Sequence, residues 1–477
     1  MAPDYIESLC RCPSLLKSLS RNAMTLPRHF LPALVLVLIA LPASSQTPPK
    51  GRSDASFTQP SLPSGVDYVV PTEAEIKAAI DRIFGYIQRS TAYRIIDTQT
   101  GQPITDFTNP TKTAGVDTRA GQFNDWDYPV GVLLASLFNV SDVTGDSRYS
   151  DYALKNFDFI FDHLDYFRKQ AAQFGAQSYG YRRLLQMSAL DDCGAIGAAL
   201  VKAYARKPDP RYRATIDVVA DYIAHKQMRL LDGSLARARP QPVSLWADDS
   251  YMSIPFLAQM GKLTGDRSWY DDAARQVIQM SQRLQDPRTG LYHHAWYENT
   301  APYDPRFFWG RGAGWVVMST AELLSVMPED HPSRAKVLEI FRAAVRGVTE
   351  VQSSTGMWRQ LLDKTDSYLE SSATAMFTFA IARGVNRGWL TPVYAPVAQT
   401  GWQALATRVR PDGRIADICV STTAAYDAVY YYNRPTDLDA MQGYGPVLMA
   451  GAEVITMIRS FDIEHTLNTF HYRVKKN

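Results

Sequence analysis

The feature that most constrains this chain is a recurrence in its helical pattern. The turn Thr144-Gly145-Asp146-Ser147-Arg148-Tyr149 returns as Thr264-Gly265-Asp266-Arg267-Ser268-Trp269. Related punctuation stands at Lys207-Pro208-Asp209-Pro210-Arg211-Tyr212, at Pro328-Glu329-Asp330-His331-Pro332 and at Gly388-Trp389-Leu390-Thr391-Pro392. Each such turn ends one helix-periodic segment and supplies a helix-starting residue for the next. Periodicity read outward from these turns predicts about twelve helical segments. They fall near 73–90, 129–142, 147–168, 190–206, 210–229, 249–264, 268–285, 312–327, 332–352, 370–386, 392–409 and 440–459.

Alternate segments differ in character. Those near 190, 249, 312, 370 and 440 are rich in Gly, Ala, Ser and Met and poor in charge; those near 147, 210, 268, 332 and 392 carry one apolar stripe and a charged face. Six pairs of one buried and one amphipathic helix predict an all-α fold, an (α/α)6 barrel or six-hairpin toroid, with a repeat of roughly 60 residues. An open superhelical solenoid is the alternative, disfavoured because the period count closes at six. Strand-like stretches such as Gly413-Arg414-Ile415 and Val429-Tyr430-Tyr431-Tyr432 read as loop or short hairpin.

Layering by repetition also suits the length. The chain has 477 residues, beyond the usual size of one conventional core. Its net charge of +2, without a basic block, argues against nucleic acid as a partner. The apolar run Leu31–Leu41, preceded by Arg28 and His29 and followed by Ala43-Ser44-Ser45, reads as a secretory signal peptide over residues 1–45. Met24 stands where such a peptide starts, so 1–23 reads as an over-extended start. Residues 46–72 then form a mobile leader, and 73–477 a single catalytic domain. The expectation is an exported protein, periplasmic or secreted, with no stable membrane insertion after cleavage. Cys10 and Cys12 would leave with the leader; Cys193 and Cys419 remain, either paired or as plain core residues.

Chemistry-bearing residues gather just before the buried helices. These loops hold Asn124-Asp125-Trp126-Asp127-Tyr128, Leu190-Asp191-Asp192-Cys193-Gly194, Leu245-Trp246-Ala247-Asp248-Asp249, Trp309 to Trp315, Tyr368-Leu369-Glu370-Ser371-Ser372 and Met441-Gln442-Gly443-Tyr444-Gly445. In a toroid all inner helices run the same way, so these starts line one mouth, as a carbohydrate pocket requires. Phe308-Trp309-Gly310-Arg311-Gly312-Ala313-Gly314-Trp315 combines indole faces for a sugar ring with a guanidinium fork for a carboxylate. The plain reading is a tight helix start with Arg311 in a structural salt bridge. In each Asp-Asp pair one carboxylate can cap the helix while the other faces the pocket, and Asp192 and Asp248 are singled out as the catalytic pair. Trp246 would shield Asp248 so that it keeps a proton. Asp-Asp pairs also bind divalent cations, but no third or fourth acidic ligand accompanies them, so neither metal nor other cofactor is expected.

Four ordered runs carry a family resemblance. They are Trp246-Ala247-Asp248-Asp249-Ser250-Tyr251-Met252, Thr289-Gly290-Leu291-Tyr292-His293-His294-Ala295-Trp296, the run from Phe308 to Trp315, and Glu370-Ser371-Ser372-Ala373-Thr374-Ala375-Met376 with Gly384-Val385-Asn386-Arg387-Gly388-Trp389. Together they resemble the unsaturated rhamnogalacturonyl hydrolases, glycoside hydrolase family 105, over residues 120–460. The resemblance implies an (α/α)6 barrel that removes the 4,5-unsaturated uronic acid left at the non-reducing end of acidic oligosaccharides by polysaccharide lyases. An Asp protonates the vinyl-ether double bond, water adds at C5, and the hemiketal collapses to expel the next sugar. By motif position, Asp248 would be the general acid/base, Asp192 the second carboxylate, His294 a positioning group, and Trp309, Arg311 and Trp315 the uronate pocket.

Trp126 and Tyr128, at the first inner helix, are placed to stack on the sugar. Arg239 departs from a His-Lys pair found in some relatives; it reads either as a ligand for a carboxylate or sulfate in the next subsite or as a solvated loop charge. The expected partner is an acidic oligosaccharide of pectin, rhamnogalacturonan or ulvan type. Alternatives are an unsaturated glucuronyl hydrolase acting on glycosaminoglycan fragments, another inverting (α/α)6 glycosidase, and a non-catalytic sugar-binding protein.

Overall fold

The computed structural model describes residues 69–240, 243–300, 306–466 and 469–475. The signal peptide, the alternative start, Cys10, Cys12 and the leader up to 68 lie outside the described residues. Among the described residues the long helices are α1 (Glu73–Arg89), α2 (Tyr128–Thr144), α3 (Ser147–Phe174), α4 (Gly194–Arg206), α5 (Pro210–Asp221), α6 (Ile254–Thr264), α7 (Ser268–Leu284), α8 (Gly310–Val326), α9 (Arg334–Glu350), α10 (Ser371–Asn386), α11 (Ala395–Ala406) and α12 (Tyr444–Ser460). None is long and apolar enough to cross a membrane.

The recurring Thr-Gly-Asp turn works the same way twice. Gly145 and Gly265 end α2 and α6 in the left-handed region, at φ 70° and 74°, where a side chain would clash. The next residue starts the following helix: Asp146 accepts the Arg148 N–H and Asp266 the Ser268 N–H.

The all-apolar helices form the inner ring. α2 packs on α4, α4 on α6, α6 on α8, α8 on α10, α10 on α12, and α12 returns to α2, so the ring closes. α3, α5, α7, α9, α11 and α1 pack around this ring, and α3, α7, α9 and α11 each touch two neighbouring inner helices. α10 is buried from Ser371 to Val385, whereas α7 buries one stripe from Tyr270 through Ala273, Ala274, Val277 and Met280 to Leu284.

Close contact in this ring rests on glycine. A Cβ on Gly194, at the start of α4, would overlap the Met252 carbonyl, and one on Gly131 in α2 would overlap the backbone of Ile196. At the opposite end of the ring, buried charges link the inner helices. Lys202 of α4 meets Glu322 of α8 at 2.6 Å, and Arg383 of α10 meets Glu322 at 3.2 Å and Glu453 of α12 at 2.6 Å. Burial pushes the Glu322 carboxyl up, but the charges of Lys202 and Arg383 win and hold it at about 2.

Several boundaries depart from the expected ones. Residues Leu190–Asp192, Ala247–Ser250 and Met441–Gly443 are separate 3₁₀ turns ahead of α4, α6 and α12. α3 runs on to Phe174, and α5 ends at Asp221, followed by a π-turn to Lys226. Val429–Tyr432 belongs to a helical turn, Ala428–Tyr432, because Asp427 caps it by accepting the Tyr430 N–H at 2.8 Å. An antiparallel hairpin, Phe461–Thr466 with Thr469–Val474, follows α12 where no strand was expected. Cys193 and Cys419 are both buried and free.

Gly194→Ala is expected to destabilise the fold by about 2 kcal/mol or more, because the obstacle is rigid backbone. An unchanged denaturation midpoint would contradict this close approach.

Candidate active site

A two-stranded pairing builds the centre of the site. Ser244–Trp246 runs antiparallel to Ala295–Tyr297, with Trp246 opposite Ala295. The Ala247 N–H donates to the His294 carbonyl at 2.8 Å. This register brings Asp248, just after one strand, to His294, just before the other. Asp248 Oδ2 and His294 Nε2 are 3.1 Å apart.

The neighbouring Asp249 has a different task. Its side chain is 1% exposed against 16% for Asp248. Arg237 grips Asp249 through Nε at 2.8 Å and Nη2 at 2.6 Å. The same guanidinium reaches Asp191 at 3.0 Å and lies over the Trp246 ring at 4.5 Å. Asp248 is thus the member of its pair left open, and Arg237 ties both Asp-Asp turns together.

In the first pair the roles run opposite to expectation. Asp192 is the capping residue: its Oδ2 accepts from Ser188 N at 2.8 Å, Ser188 Oγ at 3.0 Å and Ala189 N at 3.1 Å. Asp191 is the more open carboxylate, 27% exposed against 7%. The cause is the 3₁₀ turn, whose third residue points back onto the segment before it. Asp192 Oδ1 faces Arg183 Nη1 at 3.8 Å.

Arg311 does not present an open fork to a ligand. It is 1% exposed, with Nη1 donating to the Cys419 carbonyl at 2.6 Å and Nη2 to the Val420 carbonyl at 2.7 Å. Buried Glu370 lies 3.9 Å away and accepts the N–H groups of Ser372, Ala373 and Cys419. The arginine therefore anchors the 419–420 segment to the starts of α8 and α10, which is the structural reading of the Trp-Gly-Arg run.

The indoles are walls as well. Trp126, Trp309 and Trp315 are buried and offer no open face for stacking. Trp126 Nε1 donates to the Asp192 carbonyl at 2.7 Å. Trp309 lies 4.3 Å from the His294 ring, and Trp315 meets Tyr128 edge-on at 6.3 Å. Trp246 is also buried, between Arg237 and His294. Among the predicted aromatics Tyr128 reaches a cavity of about 260 Å³, lined also by Asp127, Arg183, Ser421 and Gln442. Gln442 Nε2 donates to the Tyr128 hydroxyl at 3.3 Å and to Ser421 Oγ at 2.8 Å. Asp248 and His294 are not among the residues lining this cavity; Arg311 holds its lining residue Val420. Arg239 is exposed at the rim and donates to Ser188 Oγ at 2.8 Å.

Electrostatics separates the carboxylates. Burial pushes Asp248 up, but the hydrogen bond and electrostatic pull of His294, together with the charges of Arg237 and Arg311, prevail and hold it below its ordinary value. Trp246 thus does not keep Asp248 protonated in the free protein. Asp127 goes the other way: burial raises it to about 6 against the pull of Arg183, 2.8 Å away. His293, stacked on Phe308 at 4.2 Å, is pushed down to about 4 by burial. Among the described residues no cluster of metal-binding side chains occurs.

Sequence reasoning missed Arg237, Arg183 and Tyr431. Arg237 was legible only as one of two arginines in a loop, and Tyr431 only as one of three consecutive tyrosines.

Residues 96–458 match the family model described as Glycosyl Hydrolase Family 88. The unsaturated rhamnogalacturonyl hydrolase YesR of Bacillus subtilis is 29% identical over 256 residues, 53% of this chain and 72% of that protein. An unsaturated 3S-rhamnoglycuronyl hydrolase of Formosa agariphila is 31% identical over 225 residues, 44% of this chain and 58% of that protein's length. The crystal structure of a possible member of the GH105 family from Salmonella enterica superposes with a TM-score of 0.64 at 21% identity, over 83% of this chain and 97% of that one. That likeness shows the (α/α)6 fold.

Arg311→Met is expected to cost about 3–5 kcal/mol of stability by stranding buried Glu370 and two carbonyls. A substrate clamp would instead raise KM and leave the unfolding midpoint in place.

Proposed function

This chain belongs to glycosyl hydrolase family 88, and from that premise we propose that it hydrolyses lyase-generated acidic oligosaccharides by removing their terminal 4,5-unsaturated uronic acid. The observation that carries this reading is the Asp248–His294 pair, 3.1 Å apart, at one mouth of the inner ring. The named activities of the B. subtilis and F. agariphila relatives support both a rhamnogalacturonan and an ulvan type of substrate.

The chemistry starts from a carboxylate. Binding of an anionic uronate excludes water and sets a like charge beside Asp248, and both effects favour its protonated form. Asp248 takes up a proton, delivers it to C4 of the double bond and becomes a carboxylate again. Water then attacks C5 and passes its proton to Asp248, which regains the protonated form it held in the bound complex. The hemiketal formed at C5 opens to a keto-uronate, and the next sugar leaves as an alcohol. His294 holds Asp248 in place by hydrogen bonding. Asp191, held by Arg237, and Asp192, facing Arg183, supply the second acidic group of the mouth. Export is part of the same proposal, since lyase products arise where the polysaccharide lies; the support is the apolar run Leu31–Leu41 ahead of Ala43-Ser44-Ser45.

The test is loss of the near-ultraviolet absorbance of the conjugated double bond, using unsaturated rhamnogalacturonan and ulvan oligomers. Absorbance is expected to fall with the wild type and to stay constant with Asp248→Asn. Constant absorbance with every oligomer would overturn the reading.

A pH dependence follows from the charge state of Asp248. In the free enzyme its proton is lost below the usual carboxylate range, so kcat/KM is expected to fall about tenfold per unit as pH rises between about 5 and 8. The decline in kcat is expected at higher pH, because bound uronate raises the group. Rates that climb with pH across this interval would rule out Asp248 as the acid.

A further inference from the structure

The His294 ring has two polar partners, and the proposed chemistry uses one of them. Nε2 faces Asp248 at 3.1 Å, while Nδ1 lies 2.7 Å from the Tyr431 hydroxyl. That hydroxyl already accepts the Ala425 N–H at 3.1 Å. A phenol carries one hydrogen, and with a backbone N–H aimed at the oxygen it must point toward another acceptor. The acceptor at hydrogen-bonding distance is His294 Nδ1.

We infer that Tyr431 is a positioning residue: its hydroxyl donates to His294 Nδ1, keeps the ring proton on Nε2 and presents Asp248 with a fixed N–H donor. The opposite tautomer would set a bare Nε2 lone pair against the Asp248 carboxylate and leave the phenol hydrogen without its acceptor. The imidazole is held from turning by Trp309 at 4.3 Å and Trp246 at 5.7 Å. Tyr431 is itself buried. Burial, with the charge of Asp248 and the nearby phenols of Tyr297 and Tyr430, holds its hydroxyl well above the usual range, so it keeps its hydrogen. Around Asp248 the other charged groups, Arg237, Arg311, Asp249 and Asp191, are bound to partners of their own.

The relay also joins the site to its wall. Tyr431 sits on the turn Ala428–Tyr432, in the same connection that lends Val420 and Ser421 to the cavity. The catalytic consequence rests on the hydrolase reading; the hydrogen-bond direction does not.

The test is therefore in two parts. Imidazole nitrogen-15 spectra of the full chain, with the His294 signals identified by their loss in His294→Gln, are expected to show hydrogen on Nε2 and a bare Nδ1. Hydrogen on Nδ1 would overturn the inference, and this measurement needs no Tyr431 variant. Tyr431→Phe is expected to give a mixture of tautomers and about a tenfold lower kcat, the worth of one hydrogen bond expressed in the transition state, with KM nearly unchanged. An unchanged kcat in Tyr431→Phe would overturn the positioning role. Failure of the wild type to consume any oligomer would instead overturn the hydrolase reading, with the tautomer result standing.

Discussion

Everything at the site depends on how closely the inner helices meet at their N-terminal ends. α2 and α4 approach to a distance that no side chain at Gly131 allows, and α4 meets the turn before α6 through Gly194. Because α12 closes back on α2, the approaches are mutually constrained around the ring. Packing at this density transmits misplacement in one helix to its neighbours. The ring thereby holds turns far apart in the sequence, such as 124–128, 190–194 and 245–249, around one mouth.

Charge buried near that mouth serves architecture before chemistry. Arg311 and Glu370 are both almost fully buried, and between them they bind backbone groups of residues 372, 373, 419 and 420. Buried ions are tolerable only when their hydrogen-bonding capacity is met. Meeting it with carbonyls and N–H groups fixes a loop in place. Arg237 does similar work between Asp191 and Asp249. Asp248 differs in that its partner is a histidine and part of its surface stays open, leaving it a carboxylate with access to a ligand.

Much of the fold was legible because it is built from short-range signals. The Thr-Gly-Asp turns specify a left-handed cap and a new helix start by local chemistry alone, and the contrast between Ala/Gly-rich and amphipathic segments separates inner from outer helices. The family motifs led to Asp248 and His294 as well. The C-terminal hairpin escaped although its strands alternate apolar and polar residues, as in Phe461-Asp462-Ile463-Glu464 and Phe470-His471-Tyr472-Arg473; they are ordered by pairing with each other and by packing beside α12. The tyrosine run from 430 to 432 became a helical turn because one carboxylate, Asp427, caps it.

The amino-acid sequence by itself determined the sixfold helical repeat, the shared mouth and the residue types gathered there. Periodicity, capping and turn formation act within a few residues of chain, so they are readable in one dimension. The tertiary structure alone decided which of those residues are open. Arg311, Trp126, Trp309 and Trp315 have the chemistry of a uronate pocket, yet packing from distant segments buries them. Asp192 and Asp249 match their neighbours in kind, and the geometry of a 3₁₀ turn and one arginine 12 residues away assign them elsewhere. Exposure depends on every element that comes to lie against a side chain, and no local pattern encodes that sum.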